Sequence, residues 1–255
     1  MGKSQLLREI MKPISFLWKV FYILFMLVCL MALIIYYVFG IFMTHRMKRG
    51  VVYMIVRFWA RTTVLSTGST VEITGLENIP QDHRICLIGN HQSLFDIPSL
   101  LGWMGISAGF IAKQELKKVP IISQWMQLLP SVFINRSSAR EAIKSFQESV
   151  RIIQAGNPIV IFPEGTRAKS DSMAEFKAGS FKLATMAEAT ILPFAVSGTW
   201  RIFEIDGSIH SRKVKISILP PITPNDAIYH DKAGLPVYLH DLVQKEQLRL
   251  LTSGS

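Results

Sequence analysis

Cysteine is scarce in this chain. Of 255 residues only two are thiols, Cys29 in an apolar stretch and Cys86 in a strand-like run. Two thiols in such different surroundings exclude a disulfide framework, and neither has metal-ligand spacing. The default is a reducing compartment, with a globular portion facing the cytosol. Acidic residues are also in deficit, 18 against 28 lysines and arginines, which leaves a formal charge of +10. That balance suits anionic partners such as phospholipid headgroups, phosphate-bearing substrates or an acidic carrier protein. Nucleic acid is excluded as the partner, because no basic helix interleaved with aromatic residues and no binding signature is present. Internal repeats and low-complexity segments are missing as well. At this length the chain holds one sizeable globular domain with an appendage, and two full domains would be cramped.

Charge is entirely missing from one place. Residues 20–43, VFYILFMLVCLMALIIYYVFGIFM, carry no charged residue. As a helix this run is about 36 Å long, enough to cross a bilayer core with some tilt. It is too long for the apolar part of a cleavable signal and lacks a small-residue cleavage site, so it reads as retained. Leu6 stands where N-myristoylation needs Ser or Thr. Basic residues flank the run on both sides: Lys3, Arg8, Lys12 and Lys19 before it, Arg46, Lys48, Arg49, Arg57 and Arg61 after it. Two basic flanks satisfy the positive-inside rule together if the first segment dips in and returns, with 51–65 as a second helix. On that second helix Phe58, Trp59 and the valines would face lipid while Arg57 and Arg61, four apart, meet phosphates. A single span is the other arrangement. Residues 1–66 are therefore assigned to membrane-anchoring helices and 67–255 to a separate domain.

Beyond residue 66 short apolar runs alternate with amphipathic ones. Runs at 84–89, 109–112, 131–134, 158–162 and 191–196 read as buried strands, being short and rich in β-branched residues. The alternating RKVKISIL at 212–219 reads as a later, half-exposed strand. Helices are expected at 120–129, 138–155, 176–189 and 235–251. The second of these has apolar residues at 139, 142, 143, 146, 150 and 153 and stops at Gly156-Asn157-Pro158. Strands separated by helices predict an α/β fold with a largely parallel sheet flanked by helices, behind an N-terminal helical membrane segment. Ligands in such sheets bind beyond the carboxyl ends of the strands.

Three polar blocks follow strand-like runs directly. The first is Asn90-His91-Gln92-Ser93-Leu94-Phe95-Asp96. His91 and Asp96 are five apart, about 140° around a helix axis, so one straight helix cannot bring them together. A turn leading into a helix that begins near Asp96 can, and Pro98 suits such a start. Three readings stay open on spacing alone: a general base oriented by a carboxylate, an N-cap beside a polar turn residue, or a metal pair lacking a third ligand. The second block, Phe133-Ile134-Asn135-Arg136, ends in an arginine fit to hold a phosphate or simply to sit in solvent. The third, Phe162-Pro163-Glu164-Gly165-Thr166-Arg167, offers a close-approach glycine and a second phosphate candidate, or a tight turn with a local ion pair. Cys86 sits mid-strand, where a cysteine is normally a small buried hydrophobe rather than a nucleophile.

Taken in order, NHQSLFD, FINR, FPEGTR and the proline-bearing ILPFAV resemble the blocks of the glycerolipid acyltransferase family, most of all its 1-acyl-sn-glycerol-3-phosphate acyltransferase branch. Lys113, Glu115 and Leu116 of AKQEL and FKAG at 176–179 extend the match over roughly residues 84–200. The resemblance implies an enzyme. His91 takes the proton of the acceptor's sn-2 hydroxyl, Asp96 holds His91, and Arg136, Glu164, Gly165, Thr166 and Arg167 bind the acceptor's phosphate and glycerol. The acyl donor is a thioester, acyl-CoA or acyl-carrier protein, used as co-substrate, and no metal or other cofactor is implied. The sequence does not identify the oxyanion donors; backbone N–H groups near the helix start after His91 are the candidates. The implied partners are a membrane lipid acceptor and the bilayer, with the catalytic domain on its cytoplasmic face. The same chemistry on glycerol 3-phosphate, another lysophospholipid or a lyso-aminolipid fits these blocks too. A non-catalytic lipid-binding membrane protein and a metal-dependent hydrolase are the readings from other classes.

Overall fold

A computed structural model describes residues 3–135 and 137–253. The charge-free run belongs to one long helix, α1 (Lys3–Phe39), which passes through a short 3-10 turn into α2 (His45–Leu65). Thr44 caps α2, its hydroxyl accepting from the Met47 N–H at 3.3 Å, so α2 begins six residues earlier than its apolar pattern alone indicates. The two helices fold back as a hairpin: Phe25 meets Phe58 edge-on at 6.0 Å, and Trp18 Nε1 donates to Ser66 Oγ at 2.9 Å. Lys12 lies in the first half of α1 and Lys19 near its middle, whereas Arg46, Lys48 and Arg49 open α2 beyond the turn. The second helix expected at 51–65 is α2, and the chain reverses in the turn between the two helices.

Residues 12–42 form the one helical stretch, among the described residues, long and apolar enough to cross a membrane. One stripe of α1, with Ser15, Phe25, Cys29, Leu33 and Tyr36, is buried against protein, whereas Phe16, Leu17, Leu24, Val28, Ile35 and Phe42 are exposed. The valines of α2 face inward rather than toward lipid. Val52, Val56 and Val64 join the protein core, each burial being worth about 1.5–3 kcal/mol. Arg57 and Arg61 both donate through Nε to the Gly102 carbonyl, at 3.3 and 2.8 Å.

The remaining chain builds one seven-stranded sheet from β1 (Thr70–Thr74), β2 (Ile85–Gly89), β3 (Gly109–Lys113), β4 (Val132–Ile134), β5 (Ile159–Ile161), β6 (Thr190–Ser197) and β7 (Lys213–Ile218), in the order β1-β7-β6-β2-β5-β3-β4. Every pairing is parallel except β6–β7. The fold is thus the expected α/β type with a mostly parallel sheet. Strand β1 (TVEIT) is an addition; its alternating exposure is that of an edge strand.

Side-chain alternation on the central strands divides the core into two layers. Ile85 and Leu87 point to one face with Leu192, Phe194 and Val160, beneath α2, α3 (Asp96–Trp103) and α4 (Ile122–Leu128). Cys86 and Ile88 point to the other with Ile159, Ile161 and Ile191, beneath α5 (Ala139–Gln154), α6 (Lys182–Met186) and α8 (Gly234–Thr252). A short helix α7 (Ala227–His230) precedes α8. The helix expected over 176–189 is only α6 and a 3-10 turn at Ala178–Ser180, and it stops before Glu188, whose φ is +49°. Gly89 ends β2 where a Cβ would stand 2.4 Å from the Phe194 carbonyl oxygen and 2.5 Å from its ring. The backbone can leave the sheet at that point only without a side chain.

Candidate active site

Strands β2, β5 and β6 are neighbours and run the same way, so the segments after them meet at one edge. After β2, Asn90 prolongs the ladder with its side chain: Nδ2 donates to the Val196 carbonyl at 2.9 Å and Oδ1 accepts from the Val196 N–H at 2.8 Å. This fixes where the turn begins. Residues 91–95 then form that turn, and Asp96 opens α3.

Asp96 is wholly buried, and its carboxylate organises the turn. Oδ2 accepts from the Gln92 and Ser93 N–H groups at 2.7 and 2.9 Å, and from His91 Nδ1 at 2.6 Å. Oδ1 accepts from the Thr199 hydroxyl. Asp96 therefore bonds back to the preceding turn instead of capping the helix, where the cap position belongs to Phe95. A carboxylate only accepts, so Nδ1 carries the proton and Nε2 keeps its lone pair. The imidazole also stacks on Phe162 at 3.9 Å and 13°, which holds its plane, and its side chain remains 15 % exposed. A fixed imidazole with a free, solvent-reached nitrogen is the geometry of a general base. The Gln92 and Ser93 N–H groups point into Asp96 and so are not available as oxyanion donors.

The loop after β5 is tied to this turn by backbone. The Ala168 N–H donates to the His91 carbonyl at 2.8 Å, and the Lys169 N–H to that of Gln92 at 3.0 Å. Glu164 is buried and reaches across, Oε1 accepting from the His91 N–H at 2.7 Å and Oε2 from the Ala174 N–H at 2.9 Å. Burial pushes its carboxyl above the usual carboxylate range, against the two backbone bonds from Ala174 and His91, which lower it. Gly165 has φ of +75°, as the tight turn requires, and Thr166 is exposed beside it. Arg167 is 30 % exposed and donates through Nη1 to Glu204 Oε1 at 2.7 Å.

His91, Asp96, Glu164, Gly165, Thr166 and Arg167 therefore share one cluster. Arg136 lies outside the described residues; β4, which precedes it, stands three strands from β2, about 14 Å across the sheet. Among the described residues no three His, Cys, Asp or Glu side chains converge as metal ligands. Cys86 lies wholly buried among the sheet's side chains, and burial raises its thiol pKa further. Residues that the motifs do not contain also belong to the site. Thr199 and Glu204 follow β6, and Trp18 of α1 packs on Phe95 at 6.4 Å. The signal for the first two was their place just beyond a strand adjacent to β2; nothing in the sequence marks Trp18.

Comparison with known proteins points the same way. A family model described as Acyltransferase matches residues 70–197, which contain every block named above. The chain is 30 % identical over 193 residues to a chloroplastic 1-acyl-sn-glycerol-3-phosphate acyltransferase of Brassica napus, covering 74 % of this chain and 54 % of that protein. It is 26 % identical over 195 residues to the 1-acyl-sn-glycerol-3-phosphate acyltransferase of Borreliella burgdorferi, covering 76 % and 78 %. The chain spans about half the length of the plant relatives it matches. Among solved structures, the 1-acyl-sn-glycerophosphate (LPA) acyltransferase of Thermotoga maritima superposes with a TM-score of 0.75 at 27 % identity, over 93 % of this chain and 99 % of that one. With the family's model matching half of its length and the His–Asp turn assembled at the sheet edge, this chain belongs to the acyltransferase family.

Proposed function

We propose that this chain transfers a fatty acyl group from an acyl thioester, acyl-CoA or acyl-carrier protein, to the sn-2 hydroxyl of 1-acyl-sn-glycerol 3-phosphate, forming phosphatidic acid. The observation that carries this reading is the Nδ1–H of His91 held on buried Asp96 at 2.6 Å, which leaves Nε2 as the base. In the reaction His91 Nε2 removes the hydroxyl proton as the oxygen attacks the thioester carbonyl. The C–S bond then breaks and the proton passes from the imidazolium to the departing thiolate. Asp96 stabilises the imidazolium between these steps. Arg167, with Gly165, Thr166 and Glu164 shaping its loop, takes the phosphate, and Arg136 is assigned to the same role from the sequence.

The lipid acceptor gives the hairpin its purpose. The exposed apolar side of α1 keeps the domain at the bilayer, and the Trp18–Phe95 contact joins α1 to the turn that carries His91. We place the catalytic domain on the cytoplasmic face, where acyl thioesters are soluble. The relatives' names support the acceptor. The test is an acceptor panel with purified protein and oleoyl-CoA: lysophosphatidate, glycerol 3-phosphate, lysophosphatidylcholine and 1-monoacylglycerol, with lipid products identified by mass spectrometry. Phosphatidic acid formed from lysophosphatidate in clear preference supports the reading. Equal use of 1-monoacylglycerol would remove the phosphate from it.

A further inference from the structure

The segment that follows β6 lies outside all four sequence blocks, yet it touches each part of the site. Gly198 turns the chain with φ of +93°, in a place where a Cβ would stand 2.6 Å from the Lys213 carbonyl oxygen. Its N–H donates to Gln92 Oε1 at 3.0 Å. The next residue, Thr199, is wholly buried and gives its hydroxyl hydrogen to Asp96 Oδ1, the carboxylate oxygen that His91 does not use. Five residues on, Glu204 has its side chain 8 % exposed and takes Arg167 Nη1 at 2.7 Å. The same oxygen, Oε1, lies 3.4 Å from the Leu94 N–H and 3.5 Å from Ser93 Oγ. One carboxylate therefore spans the His91 turn and the Arg167 loop.

We infer that Thr199 and Glu204 are positioning residues for the acyl transfer proposed above, on which this inference rests. Thr199 acts through Asp96 and Glu204 through Arg167. The geometry separates the two roles. A carboxylate held at one oxygen by backbone N–H groups and at the other by a buried hydroxyl cannot rotate, so the His91–Asp96 bond keeps its line as the imidazole gains and loses a proton. That effect acts on the chemical step. Arg167 anchored at one terminal nitrogen keeps its other N–H groups directed and ready for a phosphate, with less side-chain freedom to lose on binding. That effect acts on acceptor affinity. The segment is braced for this work: Trp200 Nε1 and Arg201 Nη2 both donate to Asp171, and the Ile209 N–H donates to Ser15 Oγ of α1 at 2.9 Å.

The experiment measures kcat and the acceptor KM for the purified full chain in mixed micelles, with oleoyl-CoA and lysophosphatidate. It compares wild type with Thr199→Val, Thr199→Ser, Glu204→Gln and Glu204→Asp, alongside melting temperatures. Thr199→Val is expected to lower kcat roughly tenfold or more with acceptor KM within about twofold, and Thr199→Ser to restore most of it, because the lost bond is a charge-assisted one. Glu204→Gln is expected to raise the acceptor KM roughly tenfold with a smaller change in kcat, and Glu204→Asp to show the same loss in milder form. If kcat and KM shift together in proportion to lost thermal stability, or if Thr199→Ser fails to rescue, the segment is merely structural and this inference falls alone. A wild type inactive with every thioester and acceptor overturns the reaction reading, and this inference with it.

Discussion

Replacing Asp96 with Asn changes charge with almost no change in shape, and the structure sets the size of the effect. The Asn carbonyl can occupy the place of Oδ2 and still accept from the Gln92 and Ser93 N–H groups and from His91 Nδ1, while its amide turns toward the Thr199 hydroxyl, which rotates to accept. The turn should therefore hold, with loss confined to weaker bonds once charge assistance is gone, about 1–2 kcal/mol of stability. Catalysis loses more. With charge centres about 4 Å apart and an effective dielectric of about 20, the carboxylate–imidazolium attraction is about 4 kcal/mol, and at 1.4 kcal/mol per decade its loss slows proton abstraction roughly 10³-fold. The comparable change in a Ser–His–Asp triad costs about 10⁴ in kcat. Thiol release from oleoyl-CoA in the presence of lysophosphatidate, followed with a chromogenic disulfide, measures it. A folded Asp96→Asn protein that retains more than about a tenth of wild-type kcat would refute an orienting and charge-stabilising role for Asp96.

Three further outcomes follow from particular contacts. Gly89→Ala places a methyl group against the Phe194 backbone and ring, so a loss of about 1–3 kcal/mol is expected in urea unfolding, with loss of activity because the turn carrying His91 starts there. Cys86→Ala should leave the rate of acyl transfer intact, and native protein should resist iodoacetamide at this position, since burial both hides the thiol and raises its pKa; alkylation that abolishes activity would instead make it a participant. Glu164 has a raised pKa in the folded state, so its contribution to stability is full below the unfolded carboxyl value of 4.5 and is lost as pH rises through the higher folded value. The melting-temperature difference between wild type and Glu164→Gln should therefore move in favour of wild type as pH is lowered from neutrality, and a difference that stays flat would place the carboxyl in the ordinary range.

The parts legible in the sequence are those whose cause is local. Strand β2 is a short buried run, the 3.6 period of α5 needs only its own residues, and the His91–Asp96 spacing already demands a turn into a helix. Contacts between distant segments were not legible. Thr199 and Asp96 are 103 residues apart, Glu204 and Arg167 are 37 apart, and a threonine or glutamate in a loop carries no periodic signal. The valines of α2 were misplaced for a related reason. An amphipathic helix shows which face is apolar but not whether lipid or protein covers it, and here α3 lies beneath Val52, Val56 and Val64.

His91→Ala tests the central claim most directly, measured beside wild type in one assay that follows both thiol release and phosphatidic acid formation from oleoyl-CoA and lysophosphatidate. The side chain reaches the site's surface, 15 % exposed, so the variant should fold, with circular dichroism and melting to verify it. The expected result is robust product formation by wild type and a fall of at least about 10³ in kcat for the variant, the range of a lost general base. A folded His91→Ala protein that still forms phosphatidic acid at a rate near that of wild type would contradict the assignment of His91 as the base.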